Sequence, residues 1–338
     1  MISYPAVEQL LSNAEHLKIA LIGDLFLDRY LEIAPGVFED SIETGLEAYQ
    51  IDRVRNAPGA LGTVLNNLAA LGVGKLIPVT VIGDDGHGYD LLQQLSSLPV
   101  DPSCIARSRE RLTPTYTKPL RNVETGHPEE LNRLDVRNRC PLSQAETQSV
   151  LDRLDDALGE ADGLIVLDQV NESNWGVVNE QVRRRLTEIC TSRPELVVYV
   201  DSRQHIGSFE AGILKGNESE FCRSTGEDSA DAAAVSMAQR TDRVAFCTRG
   251  ESGILVAHPA GRTTLVPGYR IDGPVDIVGA GDSATSGIMI ALLNGTSPEE
   301  AAAVGNLVAS ITIQQLGTTG TATPQQVLMF NRAGNAPR

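Results

Sequence analysis

The chain has no C-x-x-C pair, no H-x-x-x-H pair, no apolar run of membrane-spanning length and no surplus of positive charge. Each absence removes a class of function. The five cysteines, Cys104, Cys140, Cys190, Cys222 and Cys247, are odd in number and widely spaced. That argues against a disulfide framework or a zinc site and for reduced thiols. The histidines, lacking helical pairing, read as surface or structural residues. Without a long hydrophobic stretch there is no helix to span a bilayer. The N-terminus carries Glu8 and Glu15 and lacks the basic region of a secretory leader. A cytoplasmic protein is therefore expected. Lys and Arg number 28 against 44 Asp and Glu, giving a net charge of -16 and a sequence pI of about 4.7. Such a field repels nucleic acid and anionic membranes, so neither is expected as the main partner. A small phosphorylated ligand stays compatible, because local amides and a few cations can hold it.

What is present points to a large α/β domain. Of 338 residues, 41% are hydrophobic and 21% charged, enough for a sizeable core. Short apolar runs end in Gly or Asp: Ile19–Ile22 before Gly23-Asp24, Leu76–Ile82 before Gly83-Asp84, Leu164–Leu167 before Asp168, Val197–Val200 before Asp201, and Val244–Cys247 before Thr248. Continuous apolar strands are buried on both faces, which predicts a parallel sheet between helices. Ser143-x-x-Glu146 predicts a capped helix, and Leu61–Leu71 another that Gly72 ends. The alternation predicts a doubly wound, mainly parallel sheet with helices on both faces. Ligands in such folds bind beyond the carboxyl ends of the strands. Two polar segments, about 31–55 and 111–135, break the rhythm and predict a small β lid inserted in a single domain over residues 1–338.

The densest chemical signal is Asp276-Ile277-Val278-Gly279-Ala280-Gly281-Asp282-Ser283. Glycines let backbone N–H groups approach an anion, and a helix start adds partial positive charge. Gly279, Ala280 and Gly281 are candidate donors to a developing charge. Asp282, in the first turn of the helix, is the candidate general base for a hydroxyl nucleophile. Gly279, Gly281 and Ala284 also spell the dinucleotide pattern G-x-G-x-x-A. That reading needs a following strand ending in an acid. Instead Ser297-Pro298-Glu299-Glu300 predicts a new helix start, with Glu299 inside it. An ordinary glycine turn is the third reading.

Taken in order, several motifs resemble the ribokinase-like (PfkB) sugar kinases over almost the whole chain. These are Pro58-Gly59-Ala60 through Leu71-Gly72, Gly83-Asp84-Asp85-Gly86-His87-Gly88, Asn217-Glu218-Ser219-Glu220 and Gly279-Ala280-Gly281-Asp282. A closer resemblance, carried by Gly23–Tyr30, Thr113–Lys118, Asn132–Asp135 and Leu316–Thr319, is to the kinase half of bifunctional heptose 7-phosphate kinase/heptose 1-phosphate adenylyltransferases. The family's second glycine falls at Ala60 and its following asparagine at Thr63, so the sugar floor departs from the pattern. Ile277 or Val278 stands where the signature has threonine, and Gln169-Val170-Asn171 replaces a more basic turn.

The resemblance implies ATP, Mg²⁺ and a possible monovalent cation. It implies that Asp28, Gly59, Ala60 and Thr63 meet the sugar. Arg29, Lys118, Arg121 and Arg133 are candidates for a substrate phosphate. Asn217 and Glu220 would reach Mg²⁺ through water. Thr248, Gly250, Gly253 and Asn306 would border the nucleotide. The function expected is ATP-dependent phosphoryl transfer to a hydroxyl of a sugar or sugar phosphate, including a heptose 7-phosphate at its anomeric position. The alternatives are a non-catalytic sugar- or nucleotide-binding protein of the same fold, and an NAD-dependent oxidoreductase. A homodimer through the lid is the expected assembly.

Overall fold

The structure, a computed structural model, describes residues 2–121, 129–317 and 319–332. Thr318 of the terminal pattern and residues 122–128 of the second expected insertion lie outside the described residues. The larger of two sheets has nine strands. In spatial order they are Thr263–Val266, Ile254–Ala257, Ala245–Thr248, Ile213–Asn217, Val197–Ser202, Gly163–Asp168, Lys18–Gly23, Lys75–Gly83 and Ile105–Ser108. All pairings are parallel except the two that Ile254–Ala257 makes, with Ala245–Thr248 and with Thr263–Val266. Each apolar run named above falls on one of these strands, with Val244 alone lying just before its strand.

Alternate residues of each strand enter different cores. Ile19, Leu21, Ile165, Leu167, Tyr199 and Phe246 pack on one side. Ala20, Ile22, Leu164, Val166, Val198 and Val200 pack on the other. Burial on both faces is why these strands are apolar throughout. The helix Gln144–Leu158 starts where expected, with Ser143 and Glu146 in a reciprocal capping box, and Ser297 with Glu300 caps Pro298–Thr312 in the same way.

From Lys18–Gly23 the chain first builds outward through Lys75–Gly83 and Ile105–Ser108. It then returns to Gly163–Asp168 on the other side and builds the opposite way. The order therefore reverses between Gly23 and Asp168, and a crevice opens at such a point.

The smaller, five-stranded sheet comprises Leu25–Ile33, Ile51–Ala60, Thr115–Arg121, Glu129–Glu130 and Leu134–Val136. Within the first polar segment, residues 47–50 are not part of it: Glu47 makes an isolated bridge to Asp40, and the strand begins at Ile51. Among the described residues no helix is long and apolar enough to cross a membrane.

Candidate active site

The helix Ala280–Leu293 starts from Gly279, whose φ of +81° is left-handed. Glycine takes that conformation without strain. Asp282 is the third residue of the helix, not its cap, and its carboxylate has no hydrogen bond or ion pair among the described residues. It is half-buried. Of the three amides expected to face an anion, that of Ala280 is turned back onto Ile277 O at 3.1 Å. The tight 277–280 turn uses this donor internally. Gly281 and Asp282 follow it in the first helical turn, where amides lack intrahelical partners.

Behind Asp282 stands a buried ion pair that the sequence reading missed. Lys215 and Asp201 are direct cross-strand neighbours. The Lys215 Nζ lies 2.6 Å from Asp201 Oδ2, and both side chains are buried. Burial pulls the Lys215 ammonium down, but Asp201, with Asp282 and Glu220 beyond it, holds its pKa above the ordinary value. Asp282 is pushed up to about 7, by burial first and by the Asp201 charge second, while Lys215 and Arg203 pull it down. A carboxylate with that pKa is a far better proton acceptor near neutrality than an ordinary one. The signal for Lys215 was available: a lysine inside an apolar strand, two residues before Asn217, must be paired to be buried.

Asn217 caps the helix Glu218–Thr225. Its Oδ1 accepts from Glu220 N at 2.9 Å, and Glu220 Oε2 accepts from Asn217 N at 2.7 Å. One Glu220 oxygen is thus engaged while the other remains. Burial raises the Glu220 pKa, partly offset by the Asn217 N–H. Among the described residues no three His, Cys, Asp or Glu side chains gather as a metal cage. The oxygen donors here fit an ion that keeps most of its waters.

Thr248 pairs with Asn217 in register, so the neighbouring strand ends bring the two together. Gly250 and Gly253 follow with φ of +54° and +103°. A Cβ on Gly253 would lie 2.2 Å from Val266 O, so the loop closes tightly on the last strand. Asn306 reaches the same place and donates to Val266 O and Pro267 O at 2.9 and 3.2 Å. Its amide N–H groups shape this wall and are not presented to a ligand.

On the smaller sheet, Asp28, Gly59, Tyr116 and Lys118 share one face by register. Phe26 and Tyr116 of that face line the crevice. A Cβ on Gly59 would sit 2.8 Å from Asp28 Oδ2, so glycine there keeps the carboxylate clear. Lys118 Nζ lies 3.3 Å from Asp28 Oδ1. Arg133 stacks on Tyr116 and binds Asp135 through two hydrogen bonds. Arg29 is not brought to this face: strand residues alternate sides, and it points away to bind Asp90 and Asn56. Arg121 also falls on the outer face, with Glu47 and Tyr49. Ala60 has φ +53° and ψ -117°, a backbone suited to the glycine it replaces. Thr63 is buried, and its Cγ2 comes within 3.6 Å of where a Cβ on Gly279 would be.

The dinucleotide reading fails. The helix after Asp282 leads to another helix, and Glu299 lies in its first turn against His258 and Arg262.

Solved structures share this architecture. The chain is similar to Arabidopsis thaliana ribokinase complexed with ribose and ATP, with a TM-score of 0.64 and 17% identity over 94% of this chain and 99% of that one. It is also similar to a putative ribokinase II from E. coli in complex with ATP and Mg²⁺, with a TM-score of 0.68 and 15% identity over the same shares. At these identities the likeness establishes the fold. The class is therefore a ribokinase-fold protein. Residues 30–326 match the model of the pfkB family carbohydrate kinases, and the chain belongs to that family. Among curated proteins it is 29% identical over 336 residues to the bifunctional protein HldE of Trichlorobacter lovleyi, covering 95% of this chain and 64% of that protein. It is 27% identical to HldE of a Caulobacter species, covering 89% and 60%. The chain thus spans less than two thirds of the length of these relatives.

Proposed function

We propose that this kinase transfers the γ-phosphoryl group of ATP to a hydroxyl of a sugar or sugar phosphate, with Asp282 as the base. The observation that carries this reading is the Asp282 carboxylate itself: half-buried, without a hydrogen bond or ion pair among the described residues, and pushed up to about 7 in the first turn of a glycine-started helix. The acceptor rests against Asp28, Gly59, Ala60 and Thr63, with Lys118 and Arg133 on the same side. Its hydroxyl gives a proton to Asp282 as its oxygen bonds to the γ-phosphorus, and the bond to the bridging oxygen breaks to release ADP. The Gly279 and Gly281 amides and the Lys215 ammonium face the charge that develops on the transferred group. Thr248, Gly250, Gly253 and the wall held by Asn306 border the nucleotide. Asn217 and Glu220 would hold Mg²⁺ through its waters; the ion supplies charge neutralisation on the phosphates.

The likeness of Gly23–Tyr30, Thr113–Lys118 and Asn132–Asp135 to heptose 7-phosphate kinases supports a heptose 7-phosphate as acceptor, phosphorylated at its anomeric hydroxyl. An assay of ADP release across sugars and sugar phosphates tests the reading, with Asp282→Asn as control. Release should depend on one acceptor class and fall by about 10²–10⁴ in the variant. A variant with near-normal turnover would remove Asp282 as base. ATP binding without acceptor-dependent ADP release would favour the non-catalytic alternative.

The outer side of the smaller sheet exposes Val54 and Leu134, and the neighbouring 37–46 segment exposes Phe38, Ile42 and Leu46. So much exposed apolar surface supports a homodimer through this region. Light scattering at micromolar concentration reads it directly, and a monomer would sink it.

A further inference from the structure

A cavity opens at the switch point of the large sheet, between Asp24 and the smaller sheet. Its floor is fixed by a buried carboxylate. Asp24 Oδ2 accepts from Gln169 N and Val170 N at 2.9 and 3.1 Å, and Oδ1 accepts from Val177 N at 2.8 Å. The 169–177 loop that forms one wall is therefore held in place before any ligand arrives, which lowers the cost of binding.

The lining carries Arg111, Arg137 and Arg203 against Asp24 and Glu172. Arg111 and Asp24 are committed internally. Arg111 donates to the carbonyls of Cys140, Pro141 and Trp175, and Asp24 takes the three amides. That leaves Arg137 and Arg203, one from each wall, against Glu172. Arg137 shares Asp135 with Arg133, whose bonds of 2.6 and 2.9 Å are shorter than its own 3.3 Å. The Arg203 guanidinium has no hydrogen bond or ion pair among the described residues, although its charge reaches Asp282. In a protein of net charge -16, two such cations around one cavity are a local reversal of sign.

We propose that this cavity receives an anionic group of the acceptor, a phosphate monoester or a carboxylate remote from the reacting hydroxyl, held between Arg203 and Arg137. The inference rests on the kinase reading above. The strand order supports the acceptor over the nucleotide. Thr248, Gly250 and Gly253 lie at one part of the sheet edge and the cavity at another, with Arg203 between them at the end of Val197–Ser202. Guanidinium groups suit both oxyanions because their planar donors match two oxygens at once.

The test compares a hexose 6-phosphate, the matching hexuronate, with its carboxylate at the same carbon, and the free hexose, in the wild type, Arg203→Ala and Arg137→Ala. The readouts are kcat/KM and, without ATP, binding by titration calorimetry. Each substitution should lower the preference for an anionic over the neutral sugar by about tenfold to a hundredfold. Whether the phosphate or the carboxylate suffers more identifies the group. An unmoved preference, or no anionic preference in the wild type, overturns the proposal. If neither these sugars nor a heptose 7-phosphate is turned over, the kinase reading fails. Calorimetry still decides the cavity: weaker hexose 6-phosphate binding in both variants supports it, and unchanged or absent binding overturns it.

Discussion

Lys215 Nζ stands 3.0 Å from the place a Cβ would take on Gly281. The lysine cannot swing aside freely, because Asp201 holds it at 2.6 Å in a buried pair. Separating such a pair strands an uncompensated charge. Gly281→Ala should therefore displace the ammonium by a few tenths of an ångström at the point of phosphoryl transfer. We expect kcat to fall by up to about 10². The melting temperature should hold, since alanine favours a helix more than glycine does. Steady-state kinetics with a thermal scan checks both, and an unchanged kcat would show that Lys215 takes no part at this turn.

Activity should rise with pH through a limb near 7. Asp282 acts only when deprotonated, and its pKa is raised to about 7, so activity is lost as pH falls below that value. Lys215 lowers this pKa, so Lys215→Met should move the limb to higher pH. A pH profile of kcat/KM for both proteins tests the sign; a limb moving down, or lying near 4 in the wild type, contradicts the assignment.

Glu220→Gln keeps the size of the side chain but removes its charge. It should raise the Mg²⁺ concentration for half-maximal rate while leaving the acceptor KM nearly unmoved, because metal help is directed at the phosphates. Asn217→Ala should do the same and also loosen the helix start, at about 1 kcal/mol for a lost cap. A Mg²⁺ titration at saturating ATP decides, and an unchanged midpoint in both variants counts against the metal role.

Ala60→Gly should stabilise the protein. The residue sits at φ +53° and ψ -117°, and a non-glycine residue in so sparse a region costs about 1–3 kcal/mol. Glycine gives back part of that through a more flexible unfolded chain. A net gain of about 1 kcal/mol by denaturant titration is expected, and a loss would mean the alanine is held there without strain.

The sequence made the sheet legible because its strands are buried on both faces: Leu164–Leu167 and Val197–Val200 could hardly be anything else. The caps at Ser143 and Ser297 were legible because hydroxyl and carboxylate recur at fixed spacing. Asp282 was legible from its glycines. Side-chain direction on the smaller sheet was not. Asp28 and Arg29 are adjacent in sequence yet face opposite ways, and only the register separates the residue in the crevice from the one bound to Asp90. Lys215 signalled only that it needed a buried partner, and Arg203 gave no signal at all. Their meaning comes from neighbours distant in the chain, Asp201 for one and the cavity wall for the other.

Thr63 sits beside the Gly279 turn, its methyl group 3.6 Å from where a Cβ on that glycine would be. The helix Leu61–Ala70 that carries it begins at Ala60, on the acceptor side, while Gly279 belongs to the phosphate side. One methyl group thus lies between the two halves of the crevice. A ligand that shifts either half by a fraction of an ångström is felt by the other, so the two substrates should change each other's affinity by one common factor, as linkage requires. Dissociation constants for acceptor and for a non-hydrolysable ATP analogue, each measured with and without the other, would give that factor twice. Thr63→Ser, which removes only the methyl, should bring it towards unity; a factor that stays put would place the communication elsewhere.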